Sequence, residues 1–161
     1  MGIPVIPLAA GDVIELAAGL QVEVYAPAAD ARGFTPADAN AGSLMLLLKY
    51  GESGASVLFT GDLPASAEPL IMPRATVLKV PHHGARVSTS ERMLHAVRPA
   101  LAVISAGRFN SFGHPSPETL QRALKYGARV LRTDERGAVM VKLMAQGGVR
   151  VETAGEALTA Q

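Results

Sequence analysis

Short apolar runs separated by glycine turns fill the first third of the chain. Val13 to Leu16, Leu20 to Tyr25 and Leu44 to Lys49 read as strands, with Gly11, Gly19 and Gly51 as punctuation. Ala55 to Phe59 follows the turn GESG, so Leu44 to Phe59 predicts a β-hairpin whose outgoing end delivers Gly61 and Asp62. Residues 26–42 are rich in Ala, Pro, Asp and Gly and hold no sustained period, which predicts a surface loop rather than a domain boundary.

After Asp62 the rhythm changes. Strands are expected at Thr76 to Val80, Leu101 to Ser105, Arg129 to Arg132, Ala138 to Leu143 and Val149 to Glu152. Helices at Ser90 to Val97 and Pro117 to Tyr126 alternate with the first of them, the pattern of an α/β fold. Ser88 with Glu91 fits a capping box, and Ser116 followed by Pro117 supplies an N-cap with proline at the first helical position. The second helix sets Leu120, Ala123 and Leu124 on one face and stops at Gly127, as a helix covering a sheet would.

Composition narrows the class. The 161 residues suffice for one domain, and 48% hydrophobic with 18% charged residues predicts a compact soluble fold. A net charge of +1 gives no global attraction to nucleic acid, so phosphate binding must come from a local cluster such as Arg86, Arg92, Arg108 and Arg122. Without cysteine there is no disulfide, thiolate zinc site or cysteine nucleophile, so any metal must sit on N and O ligands. The longest apolar run, Leu44 to Leu48, is far short of the ~20 residues of a membrane helix, and Met1 to Ala10 lacks a basic leader region.

Three apolar runs end in chemistry. VLFTGDLP, VLKVPHHGARVSTSE and VISAGRFNSFGHP set Asp62, His82, His83 and His114 just beyond strand-like segments. In an α/β sheet the C-terminal ends of neighbouring strands meet at one edge, so a carboxylate and imidazoles distant in sequence can converge on a metal. Each residue has a structural alternative. Asp62 is a metal ligand or a turn aspartate capping the next segment. Past Pro81 both rings of His82 and His83 can approach a metal, with Gly84 permitting a tight exit, or one ring is buried on a backbone hydrogen bond. His114 is a ligand fixed by a rigid loop, or a loop histidine bonded to a carbonyl. His95, inside a helix beside Leu94 and Val97, reads as packed or partly exposed. Histidine and carboxylate donors suit Zn²⁺ or Mn²⁺ better than Ca²⁺. Lys79, Arg86, Arg108 and Asn110 lie near these residues in sequence and can hold phosphate oxygens, or are simply solvated.

The same residues carry a resemblance. NAGSLMLLLKYGESGASVLFTGDLPASAE, VLKVPHHGARVSTSE, RPALAVISAGRFNSFGHPSPETL and GARVLRTDERGAVMV resemble the metallo-β-lactamase-like domain of ComEC-type DNA internalisation proteins, from about Gly2 to Val151. TGD alone is a weak signal, whereas TGD, KVPHHG and GHP in this order and spacing are together specific. The resemblance implies the C-terminal half of an αββα sandwich, a mixed sheet with covering helices, as a single half-domain over residues 1–161. It implies a soluble domain of a bacterial inner-membrane protein, attached to a channel for single-stranded DNA and degrading the non-transported strand as a metal-dependent nuclease. DNA and the membrane channel portion of the same protein are the implied partners. Asp62 then matches the family's later acidic ligand, His82 and His83 its paired histidines and His114 its last metal histidine. Asp62 and His83 become the candidate catalytic groups, and which of the paired histidines faces the metal stays open.

One departure from that family is sharp. The HxHxDH motif that carries the principal ligands in the first half of metallo-β-lactamase folds occurs nowhere in the sequence. The complete domain would hydrolyse phosphodiesters with two Zn²⁺ or Mn²⁺ ions, while this chain alone is expected to be weak or inactive and to hold fewer ions or none. Two alternatives remain. One is a non-catalytic half-domain that associates with a second copy, or with the missing half, through an uncovered apolar sheet face. The other is a stand-alone metallo-hydrolase of lactonase or phosphodiesterase type.

Overall fold

In the computed structural model, which describes residues 3–31, 38–52 and 54–154, the first strands form an antiparallel meander. These are β1 (Val13–Ala17), β2 (Leu20–Ala26), β3 (Met45–Tyr50) and β4 (Ala55–Phe59). The expected hairpin is present, with Leu46 paired to Phe59 and Tyr50 to Ala55. The expected loop 26–42 contains short 3-10 turns at Ala29–Ala31 and Ala39–Gly42, and residues 32–37 lie outside the described residues.

Beyond β4 the sheet grows by parallel addition. β5 (Val77–Lys79), β6 (Leu101–Ile104) and β7 (Arg129–Arg132) each run parallel to the strand before, completing a seven-stranded mixed sheet in the order β1-β2-β3-β4-β5-β6-β7. The crossovers carry α1 (Glu91–Val97) and α2 (Pro117–Lys125), so the architecture is mixed α/β, and a short α3 (Thr133–Arg136) follows β7. The central strands read as unbroken apolar runs because both of their faces are covered. On one face Leu58, Leu78 and Ala102 share a core with Met93, Leu94 and Val97 of α1 and Ala123 of α2. On the other, Val57, Val77, Leu101 and Leu131 pack against Val139, Val141, Val149 and Val151.

Those last residues revise an expectation. Among the described residues β8 (Val139–Leu143) and β9 (Val149–Thr153) pair with each other alone, and their hairpin lies across the sheet face expected to be bare. The cover is partial. An open groove lined by Leu48, Phe59, Val77 and Val103 remains beside the hairpin, and Phe59 keeps 43% of its surface exposed. Among the described residues no helix is long and apolar enough to cross a membrane.

The helix caps divide between confirmation and correction. Ser116 caps α2 as expected, its hydroxyl accepting the Thr119 N–H at 3.2 Å. The cap of α1 is Ser90 rather than Ser88, with Ser90 Oγ accepting the Met93 N–H at 3.0 Å. Thr89 takes a left-handed conformation, φ 59°, which delays the helix, and Ser88 is buried, donating to Pro81 O and Ala85 O. The carboxylate that receives the Ser90 N–H comes from Glu68, 22 residues earlier, while Glu91 reaches Lys125 and Tyr126 instead. The buried side of α2 is also rotated from its expected position. Thr119 and Ala123 are buried, Leu120 is half-buried, and Leu124 is 61% exposed.

Removing the fully buried Leu78 side chain of β5 should therefore cost far more than removing one from the outer side of α2. Leu78→Ala is expected to destabilise the chain by about 2–5 kcal/mol in denaturant unfolding, and Leu124→Ala by no more than about 0.5 kcal/mol. Equal losses would contradict this assignment of the buried face.

Candidate functional site

Because β4, β5 and β6 are parallel and adjacent, the segments that follow them leave the sheet at one edge. Asp62 follows β4 through Thr60 and Gly61, His82 and His83 follow β5 through Pro81, and His114 ends the long loop after β6. Backbone and hydroxyl hydrogen bonds tie the three exits together. Thr60 Oγ1 donates to Lys79 O at 2.6 Å, the His82 N–H to Gly61 O at 3.1 Å, and the Ser116 N–H to Gly84 O at 2.9 Å. Ser43, just before β3, accepts the Asp62 N–H on its hydroxyl at 3.1 Å.

The paired histidines sit in an unusual backbone. His82 and His83 both adopt the left-handed region, φ 50° and 54°, a conformation that costs on the order of 1–3 kcal/mol per non-glycine residue and persists only where surroundings enforce it. Gly84 makes the turn possible. It has φ 82°, and a Cβ there would stand 2.7 Å from Pro115 Cβ, so the two loops touch at a point that only glycine fits.

The side chains at this turn are directed by their partners. His83 Nδ1 lies 2.7 Å from Ser105 O, and since a carbonyl can only accept, Nδ1 carries the proton and the neutral ring keeps its lone pair on Nε2. That Nε2 faces Asp62 Oδ1 at 3.9 Å, beyond hydrogen-bonding distance. The His82 ring lies edge-on to both other imidazoles, 6.5 Å from His83 and 5.8 Å from His114 between centroids. Its Nδ1 is buried with no hydrogen-bond partner among the described residues, an orphaned polar atom of the kind that asks for an explanation.

His114 is held by a brace. Asn110 accepts the His114 N–H on Oδ1 at 2.9 Å and donates from Nδ2 to His114 O and Gly107 O, closing the loop on itself. Thr133 clamps the start of that loop, accepting the Ala106 N–H and donating to Ala106 O, both at 2.9 Å. Phe112 stacks on the His114 ring, 5.9 Å between centroids and 19° between planes. Desolvation, with repulsion from His82 and His83, holds the His114 imidazole below the usual histidine range.

The basic residues separate into two groups. Lys79 is half-buried, donates to Val80 O at 3.0 Å, and has its ammonium pKa pushed down by burial against an opposing pull from Asp62. Arg86 and Arg108 are exposed, the first 3.9 Å from Glu118 and the second donating from Nε to Asp134 O. Arg92 and Arg122 are braces: Arg92 binds the carbonyls of Glu68 and Pro69, and Arg122 those of Arg86, Ser88 and Thr89. His95 is exposed on α1, away from the other histidines.

The edge thus gathers Asp62, His82, His83 and His114, and the chemistry of these donors suits a divalent cation: one imidazole lone pair faces a carboxylate and a second imidazole has an orphaned nitrogen. Among the described residues, no group of three His, Asp or Glu side chains is arranged to hold a metal ion. Four supporting residues escaped the reading of the sequence: Ser43, Thr60, Ser105 and Thr133. Ser43 was within reach of it, since the Leu46–Phe59 pairing, extended three residues, sets Ser43 opposite Asp62. Asn110, expected as a phosphate holder, has its amide engaged by backbone.

No family model matches the chain. It is 36% identical over 146 residues to ComE operon protein 3 of Bacillus subtilis, covering 88% of this chain and 18% of that protein. It is 38% identical over 105 residues to Recombination protein 2 of Haemophilus influenzae, 63% of this chain and 13% of that protein. With competence protein ComA of Neisseria gonorrhoeae it shares 36% identity over 112 residues, 66% of this chain and 16% of the relative. The chain therefore spans less than a fifth of the length of these curated relatives.

A depressed His114 pKa has a readable consequence. In an NMR titration its ring should protonate below the ordinary value of about 6.5. The unfolded chain binds that proton more tightly, so the associated stability is complete above pH ~6.5 and is lost as pH falls from there through the lowered native value. A native midpoint above the ordinary value would contradict the desolvated setting.

Proposed function

The chain is homologous to a segment of ComEC-family competence proteins, and we propose that it supplies the later half of a metal-dependent site that cleaves phosphodiester bonds of DNA during uptake. The observation that carries this reading is the pair formed by His83 Nε2 and Asp62 Oδ1, two potential metal-ligating atoms 3.9 Å apart at the sheet edge. Asp62 and His83 would hold the ion, a Zn²⁺ or Mn²⁺, with His82 and His114 beside them. A bound divalent cation supplies Lewis acidity toward phosphate oxygens and lowers the pKa of water.

The chain's own groups have definable tasks. Ser105 O fixes the His83 tautomer so that Nε2 remains a donor, and Ser43 orients the turn that carries Asp62. Lys79, partly desolvated beside Asp62, and the exposed Arg86 and Arg108 would attract the phosphate backbone. Asn110 would act by holding the His114 loop in place. The absence of HxHxDH from the sequence means that the chain brings part of a binuclear donor set, and its activity by itself is expected to be slight. In this reading it is one metallo-β-lactamase-like half-domain, working beside a membrane channel for the DNA strand that enters the cell.

A second reading is favoured by the open groove along Leu48, Phe59 and Val103: a non-catalytic half-domain that associates through its sheet face with another sheet or a second copy. Cleavage of labelled single-stranded DNA in Mn²⁺ separates the two. The proposed site predicts slow, chelator-sensitive cleavage by this chain that falls at least tenfold in Asp62→Ala. Cleavage indifferent to chelator and to Asp62→Ala would refute the site. Rapid turnover, on the order of 1 s⁻¹ or faster, would refute the view that the chain is a partial catalyst.

A further inference from the structure

The loop between β6 and α2 exposes two phenylalanines that lie outside the apolar core. Phe109 is 94% exposed and Phe112 80%, and together they are half of the chain's four phenylalanines. Isolated exposed apolar side chains are ordinary on protein surfaces. These two are distinguished by their setting. Asn110 and Thr133 brace the loop that presents them, so the rings are displayed on a closed scaffold. One face of Phe112 is already engaged by the His114 ring. Phe112 also lines an open cleft of about 390 Å³ whose other walls include His83, Ser105, Asn110 and His114. The stretch RFNSFGH interleaves aromatics with a cation, an amide and a hydroxyl, and exposed Arg108 adjoins Phe109.

We infer that Phe112 and Phe109 form a stacking platform for the bases of a single-stranded nucleic acid whose phosphate enters the cleft at His83 and His114. The inference rests on the proposed action on DNA and adds to it the form of the substrate. Bases in a duplex offer their faces only to one another, whereas an unpaired strand presents them to aromatic side chains, and every base has such a face. The charge pattern agrees: Arg108 beside the rings and Lys79 at the same sheet edge suit a phosphate backbone, and two rings on a polar loop are too small a patch for a stable protein interface. Phe112 would thus set strand form, and would position the backbone by holding the base next to it.

The test is binding in EDTA, where cleavage is suppressed, of a fluorescein-labelled oligothymidylate and a duplex of the same length, followed by anisotropy. A 2-aminopurine base in a second single strand reports stacking through quenching. The wild-type chain should prefer the single strand and quench the probe. Phe112→Ala and Phe109→Ala should each weaken single-strand binding about tenfold, Phe112→Leu should be as weak as Phe112→Ala, and Phe112→Tyr should restore binding and quenching. Circular dichroism checks that each variant is folded.

Equal binding by wild type and the Leu variant, or a preference for the duplex, would overturn the platform while leaving the metal site intact, since Asp62-dependent cleavage is read separately. Loss of Asp62-dependent cleavage with stacking preserved would overturn the catalytic reading alone. Concentration-dependent self-association that needs the two rings, without oligonucleotide binding, would overturn the platform and assign the patch to protein contact.

Discussion

The parallel register that sets Leu58 beside Leu78 and Leu78 beside Ala102 is the constraint on which the candidate site depends. All three side chains are fully buried in one core with α1 and α2, while Val57, Val77 and Leu101 are buried on the opposite face. A slip of one residue would move each set to the wrong face, so burial on both sides fixes the register far more firmly than the few strand hydrogen bonds could. Once it is fixed, Gly61, Pro81 and Ser105 leave the sheet together, and Asp62 and the histidines are carried to one edge.

What the core positions coarsely, the loops then set finely. The left-handed pair His82–His83 is held by hydrogen bonds at both ends: the His82 N–H on Gly61 O, and the Ala85 N–H on His82 O. Gly84 against Pro115 brings the third loop into contact with the second. Strain stored in this way is tolerated where the surrounding structure over-determines it, and it clusters at sites that bind or react. The fixed His83 tautomer and the orphaned His82 nitrogen belong to the same arrangement: donors directed by the protein but not satisfied by it. In relatives named for competence and recombination, a segment of this kind is less than a fifth of the polypeptide. The chain matches that segment of them and nothing beyond it, so the DNA chemistry proposed above concerns the donors of this segment alone.

Much of this was legible in the sequence, for reasons that differ from element to element. β4 and β7 fall on their expected residues because short β-branched or apolar runs bounded by turn residues leave little freedom. The α/β rhythm allowed Asp62, His82, His83 and His114 to meet at one sheet edge, and the structure sets them near one another there. The cap at Ser90 was not legible, since its partner Glu68 arrives from a distant loop and a left-handed Thr89 shifts the helix start. Nor was the placement of β8 and β9, whose alternating residues fit a strand added to the main sheet as well as the separate hairpin they form. The fate of the arginines was equally hidden: the sequence gives no sign that Arg92 and Arg122 would be consumed by backbone carbonyls while Arg86 and Arg108 stay at the surface.

Calorimetric titration of the purified chain with Mn²⁺ and Zn²⁺ is the most direct test of the proposed cation site at the sheet edge. Saturable binding is expected, weakened at least about tenfold by Asp62→Asn and by His83→Ala, and unchanged by substitution of His95 on α1. Absence of binding, or binding that survives both substitutions, would contradict it.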